Sequence, residues 1–136
     1  TTGFPALLVP ITSIDAMKEI LLDLALLEPL LKQGKADMIY PFTRQTFDQN
    51  NSIHARGFAP FIGIPEDPGT GSVASALGYY LYEKNSKEKK IIIEQGYEMK
   101  RPSNIFVEIG GVERRTNEIR VGGRVRLVFK GTLYLK

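Results

Sequence analysis

The sequence predicts an α+β domain, and three observations carry that reading. Seven or eight short runs read as strands and only two or three as helices, the mixture of an α+β domain. The run Val73–Leu81 is nonpolar nearly all round, with Ala74, Ser75, Ala76 and Gly78 among its members and no charge before Glu83. A helix of that kind belongs inside a core. Paired glycines, Gly110-Gly111 and Gly122-Gly123, flank alternating runs and read as hairpin turns.

The elements follow in order. Ala6-Leu7-Leu8-Val9 reads as a buried strand. Ser13 is a suitable N-cap, Asp15 suits the first turn of a helix, and Ile14, Met17, Ile20 and Leu21 fall at helical spacing. Asp23 caps a second helix or continues the first, and Pro29 argues against one straight helix because an interior proline costs about 3 kcal/mol. Two short helices or one bent helix are therefore expected, ending near Gly34, with Leu24, Leu27, Leu30 and Leu31 covering a sheet. Ala36–Thr43 and Ile53–Pro60 read as a hairpin across a polar turn containing Asp48, Asn50 and Asn51. His54 and Arg56 share a face of the second strand. For His54 the expectation is polar surface; for Arg56, either a bidentate partner for a carboxylate ligand or an ion pair with Glu66 or Asp67. Lys84–Lys90 reads as an exposed loop, Ile91-Ile92-Ile93 as a β-branched strand, and Ile105–Ile109 as an alternating one. Val125, Leu127 and Phe129 alternate with charged residues, and Gly131–Lys136 reads as the last strand.

The most informative stretch is Gly63-Ile64-Pro65-Glu66-Asp67-Pro68-Gly69-Thr70-Gly71-Ser72, which runs straight into the apolar helix. Pro65 and Pro68 stiffen it. Gly69 and Gly71 permit close approach to a ligand or positive φ. Thr70 or Ser72 can cap the helix. The first amides of a helix have no internal partners, so this junction suits an anion, a carboxylate above all.

Composition bounds the rest. With 136 residues, 43% hydrophobic and 24% charged, the chain is long enough for one domain with a core. No apolar run reaches the ~20 residues of a membrane helix, and no stretch reads as a secretory signal, so a cytoplasmic protein without a membrane partner is expected. There is no cysteine, which excludes disulfides, thiolate metal sites and a cysteine nucleophile, and the single histidine makes no histidine metal cluster. Net charge is −3 over residues 1–82 and +6 over 83–136. The basic half reads as a solvated face, since its charges alternate in sign without interleaved aromatic platforms; no nucleic-acid partner is expected.

His54-Ala55-Arg56-Gly57-Phe58-Ala59-Pro60, followed by Gly63-Ile64-Pro65-Glu66-Asp67-Pro68-Gly69-Thr70-Gly71-Ser72, resembles the signature of the PhzF-like isomerases of phenazine biosynthesis, relatives of diaminopimelate epimerase. Three further segments resemble the family in the same order. They are Thr2-Gly3-Phe4-Pro5 with Leu7-Leu8-Val9-Pro10; Glu94-Gln95-Gly96 with Glu98-Met99 and Arg101-Pro102-Ser103; and Val121-Gly122-Gly123-Arg124-Val125 with Lys130-Gly131-Thr132-Leu133.

The resemblance implies a curved, mostly antiparallel sheet rolled around a central helix at about residues 71–84, one diaminopimelate epimerase-like domain spanning residues 1–136. It corresponds to the second half of a two-domain, cofactor-independent enzyme, generally a homodimer. Such an enzyme moves a proton at carbon on a small carboxylate, in the cleft between its halves. The main base, a glutamate, belongs to the first half, so this chain alone is expected to be inactive. Here the resemblance implies supporting catalytic roles for Asp67 and Ser72. Substrate binding is expected from Thr70, Gly71, Ser72, Arg56, Thr2 and Gly3. The absence of cysteine departs from the two-thiol racemisation of diaminopimelate epimerase. Gly69 stands where alanine is common, which is expected to loosen the loop. Gly57 stands where a larger residue is frequent, which is expected to widen the cleft. The reading of another class is a non-catalytic carboxylate-binding or scaffold domain.

Overall fold

A computed structural model of the chain describes residues 3–86, 88–110 and 118–135. The chain forms β1 (Ala6–Pro10), α1 (Ile14–Lys18), α2 (Leu24–Gly34), β2 (Met38–Thr43), β3 (Ile53–Ala55), β4 (Gly57–Ala59), β5 (Ile64–Asp67), α3 (Gly71–Leu81), β6 (Lys90–Gln95), β7 (Ser103–Gly110) and β8 (Glu118–Gly123). All eight strands join one sheet. Its pairings are antiparallel except β1 with β2 and β3 with β6.

The sheet forks. β3 and β4 are two parts of one bent strand, both antiparallel to β2. Between them Arg56 keeps its own bond, its N–H donating to the Pro41 carbonyl at 3.0 Å. On the far side the parts take different neighbours. Ala55 lies beside Gln95 at the end of β6, and Gly57 lies beside Asp67 at the end of β5. The two strand ends therefore meet at one place, and the turn into α3 is built there.

The apolar run around Val73 forms a helix and is buried, as expected. Val73, Ala74 and Leu77 of α3 are fully buried against Met38, Tyr40, Ile53, Ile93 and Val107 from β2, β3, β6 and β7. Gly78 permits the closest approach: a Cβ there would stand 2.7 Å from Val107 Cγ1. After Leu81 a single π-helical turn, Tyr82–Ser86, continues the helix to about the expected end and on into the stretch read as a loop.

Some local expectations hold and others are corrected. The first helical region is two helices, with Ser13 and Asp23 as N-caps. Yet α2 runs through Pro29 without ending. Ala25, whose carbonyl loses its partner to the proline ring, is exposed along with Pro29, which leaves this stretch of the helix on the solvent side. Leu27 and Leu31 are buried, whereas Leu24 and Leu30 are about half exposed. Gly122 and Gly123 make no turn; they continue β8 opposite Phe106 and Ile105. Gly110 ends β7, and Gly111 lies outside the described residues. Arg124–Leu135 forms no strand, and Val125, Leu127, Phe129, Leu133 and Tyr134 are each more than four-fifths exposed. An alternating pattern favours a strand, but a ladder also needs a partner, and these residues pair with none of the described strands. Among the described residues no helix is long and apolar enough to cross a membrane.

Candidate functional site at the start of the central helix

The turn Asp67-Pro68-Gly69-Thr70 lies over the fork and is held from below by Gln95. This glutamine is fully buried at the end of β6. Its Oε1 accepts from the Tyr40 hydroxyl at 2.7 Å and from the Thr70 N–H at 3.1 Å. Its Nε2 donates to the Asp67 carbonyl at 2.7 Å and to Thr70 Oγ1 at 3.0 Å. The turn is braced from the other side by Ser103, whose hydroxyl donates to the Pro68 carbonyl at 2.6 Å. Beneath it Gly96 adopts φ +80°, and a Cβ there would press on the Arg101 and Pro68 carbonyls.

Asp67 is the charged group of this turn. Its Oδ2 accepts from the Thr70 hydroxyl at 2.7 Å, and its Oδ1 from the Gly69 N–H at 3.3 Å. Thr70 is the N-cap residue of α3 by position, but its side chain makes no capping bond because it is turned toward Asp67. The first intrahelical bond runs from the Ala74 N–H to the Thr70 carbonyl at 2.9 Å. Gly71 is half-buried and Ser72 exposed at the first turn, with the Ser72 carbonyl accepting from Ser75. Neither Gly69 nor Gly71 has positive φ. Gly69 instead permits close packing, since a Cβ there would lie 3.0 Å from Ser103 Oγ. Beside the turn opens a cleft of about 610 Å³. Gly69 and Gly71 line one wall, Tyr97 and Ser103 a second, and Val121 and Arg124 a third.

Of the expected site residues only Gly71 lines this cleft; Asp67, Thr70 and Ser72 stand at the turn without lining it, and the others fall elsewhere. Arg56 is buried, with Nε and Nη2 donating to the two Glu66 oxygens at 2.8 and 2.9 Å and Nη1 donating to the Met17 carbonyl at 2.7 Å. Burial works against its charge, but the Glu66 bridge outweighs it and raises its pKa. Of the two alternatives read from the sequence, the structure contains the ion pair with Glu66, and Arg56 is not among the cleft-lining residues. Gly3 sits in the turn before β1 at φ +103° and does not line the cleft. Thr2 lies outside the described residues. Gly57 does not widen the cleft. It is buried under the turn, where a Cβ would lie 3.1 Å from both Gln95 Nε2 and Thr70 Oγ1.

His54 is likewise not surface. It is fully buried, with Nδ1 3.1 Å from Glu94 Oε1 and Nε2 2.9 Å from Glu98 Oε1. Glu94 also accepts from the Phe47 and Asp48 N–H groups and from Asn51, which pins the β2–β3 turn to β6. Burial pushes the Glu98 carboxyl up, but hydrogen bonds from His54 and its own backbone N–H, with the charges of His54 and Arg56, hold it below its ordinary value. This cluster supports the scaffold. Among the described residues no group of three His, Cys, Asp or Glu is arranged to hold a metal ion.

Gln95 is the site residue that the sequence alone does not reveal. The signal that finds it is structural: its partners lie 55 and 25 residues away.

Known proteins resemble this chain in sequence and in fold. The family model described as phenazine biosynthesis-like protein matches residues 1–131. The chain is similar to an uncharacterized isomerase of Bacillus subtilis, 31% identical over 97% of this chain and 43% of that protein. It is also similar to the trans-2,3-dihydro-3-hydroxyanthranilate isomerase of Pseudomonas aeruginosa, 32% identical over 60% of this chain and 30% of that protein. Among solved structures, the Bacillus anthracis phenazine biosynthesis protein of the PhzF family superposes with a TM-score of 0.71 at 23% identity, over 88% of this chain and 41% of that one. The Pseudomonas aeruginosa protein PA4716, a predicted epimerase, superposes at 0.69 with 27% identity, over 98% of this chain and 44% of that one. The chain thus spans less than half the length of these relatives. The match over nearly every residue, on a fold shared with solved members, shows that the chain belongs to the phenazine biosynthesis-like, PhzC–PhzF family.

Proposed function

We propose that this chain is the second half of an isomerase or epimerase that transfers a proton at carbon on a small carboxylate substrate. The observation that carries the reading is the turn before α3. A carboxylate, Asp67, is fixed by two local donors within the turn, and Gly69 of that turn and Gly71 at the helix start line the adjoining cleft, although Asp67 itself is not among the lining residues. The helix amides at Gly71 and Ser72 suit the substrate carboxylate, and holding that group makes the proton step effectively intramolecular. Asp67 then accepts or relays the proton, with Ser72 as a supporting hydroxyl. The main base comes from the first half of the enzyme, and no cofactor takes part.

Names of relatives support the class of reaction: they are isomerases, one of them acting on a dihydro-hydroxyanthranilate. The exposed apolar segment 124–135 supports a partner domain, because its large apolar side chains are left uncovered here. Its occupant in this reading is the first half of the same enzyme, and the assembled protein works as a homodimer in the cytoplasm.

The test is incorporation of solvent deuterium into cyclic and acyclic amino-carboxylates, read by mass spectrometry. The polypeptide carrying both halves should label at least one of them, and residues 1–136 alone should label none. Labelling by the 136-residue chain at a similar rate would place the whole catalytic apparatus here and contradict the proposal.

A further inference from the structure

The hydrogen-bond network under the Asp67 turn has a direction. The Thr70 N–H can only donate, and the Asp67 carbonyl can only accept. Both bond the Gln95 side chain, which fixes Oε1 toward Thr70 N and Nε2 toward the Asp67 carbonyl. Burial, with the Asp67 charge nearby, pushes the Tyr40 phenol well above its usual range, so it remains a donor to Oε1. Nε2 has its second N–H on Thr70 Oγ1. That oxygen is therefore already an acceptor, and its own proton is aimed at Asp67 Oδ2, 2.7 Å away. We propose that Gln95 is the positioning residue of this site: its amide sets the direction of the Thr70 hydroxyl, which holds Asp67 beside the cleft as a hydrogen-bond acceptor.

The surrounding packing is consistent with a device that tolerates little displacement. Gln95 is fully buried, and all four of its bonds end on fixed partners from β2 and the turn. Gly57 leaves room for both the amide nitrogen and the hydroxyl, each of which a Cβ would crowd at 3.1 Å. Gly96 lets the chain pass beneath Pro68 immediately after Gln95. The fork in the sheet supplies the geometry, since it puts the ends of β5 and β6 on either side of Arg56.

The inference rests on the proposed role of Asp67, and the experiment separates the two. Gln95→Glu keeps the volume and an acceptor for Tyr40 and Thr70, but replaces the amide donors with an oxygen that competes for the Thr70 proton. Thr70→Val removes the hydroxyl, and Thr70→Ser restores it. In the polypeptide carrying both halves, Gln95→Glu and Thr70→Val should each lower kcat for solvent-hydrogen exchange at least ~10-fold with KM changed less than ~3-fold, and Thr70→Ser should recover most of the loss. A separate readout needs no activity. Amide exchange of Thr70 in the 136-residue chain should accelerate at least ~10-fold in Gln95→Met while the β6 amides keep their protection. If the wild type exchanges no substrate hydrogen, the functional reading fails while the Thr70 exchange still reports on Gln95. Wild-type kcat in both Gln95→Glu and Thr70→Val, or unchanged Thr70 exchange in Gln95→Met, overturns the positioning role.

Discussion

Gly78→Ala gives a prediction in which two effects of known size oppose each other. Alanine is favoured over glycine in a helix interior by about 0.8–1.0 kcal/mol. The new Cβ, however, would stand 2.7 Å from Val107 Cγ1 and 3.5 Å from Ile91 Cδ1. Comfortable carbon contacts begin near ~3.5 Å, so Val107 must retreat by about 0.8 Å. Val107 is buried on a central strand, paired with Ile91 on one side and Val121 on the other. Overpacking of this kind costs about 1–3 kcal/mol, so the balance is a net loss of about 1 kcal/mol. Urea unfolding reads this directly: with a slope of roughly 1–3 kcal/mol per molar, the midpoint should fall by about 0.3–1 M at unchanged slope. In a Val107→Ala background the clash is gone, and the same substitution should raise the midpoint through helix propensity. A midpoint that rises in both backgrounds would mean that α3 does not pack on β7 at Gly78.

The remaining predictions concern the scaffold. Glu94→Ala removes the acceptor shared by the Phe47 and Asp48 N–H groups, Asn51 and His54. Breaking a buried charged network costs about 3–5 kcal/mol, and a loss below ~1 kcal/mol in urea unfolding would contradict the network. For Glu98 the sign runs with its lowered carboxyl: the stability it contributes is present above the ordinary value of 4.5 and lost as pH falls from there through the folded value. Glu98→Gln should therefore flatten the acid side of the stability profile; an unchanged profile below pH 4.5 would show that His54 and Arg56 do not hold this carboxylate.

The parts of the fold legible in the sequence are those whose cause is local. Val73–Leu81 announces a buried helix because its apolar and small residues leave no polar face, and Ile91-Ile92-Ile93 announces a strand through β-branching. Asp23 announces a cap, and its Oδ1 accepts from the Ala25 and Leu26 N–H groups. What escaped depends on partners distant in the chain. Nothing near Gln95 reveals that Tyr40 and Thr70 converge on it. His54 reads as surface until Glu94 and Glu98 are folded over it. Gly122-Gly123 reads as a turn, yet it is strand because β7 supplies a full set of partners opposite it. The alternating run after Arg124 fails in the opposite sense, having the pattern but no partner strand among the described residues. At the site, Asp67, Thr70 and Gly71 stand together in the turn before α3, with only Gly71 lining the cleft, while the choice at Arg56 was decided by the position of Glu66 on β5.

Asp67→Asn in the polypeptide carrying both halves is the most direct measurement, read as the rate of solvent-deuterium incorporation into a carboxylate substrate that the wild type labels. The amide preserves shape and keeps an oxygen for Thr70, but it cannot take up a proton at that position. The proposed role predicts a fall of about 100-fold or more in kcat with the fold intact, the usual scale for a general acid–base group. Wild-type incorporation by Asp67→Asn would remove Asp67 from the reaction and leave the turn at α3 as scaffold alone.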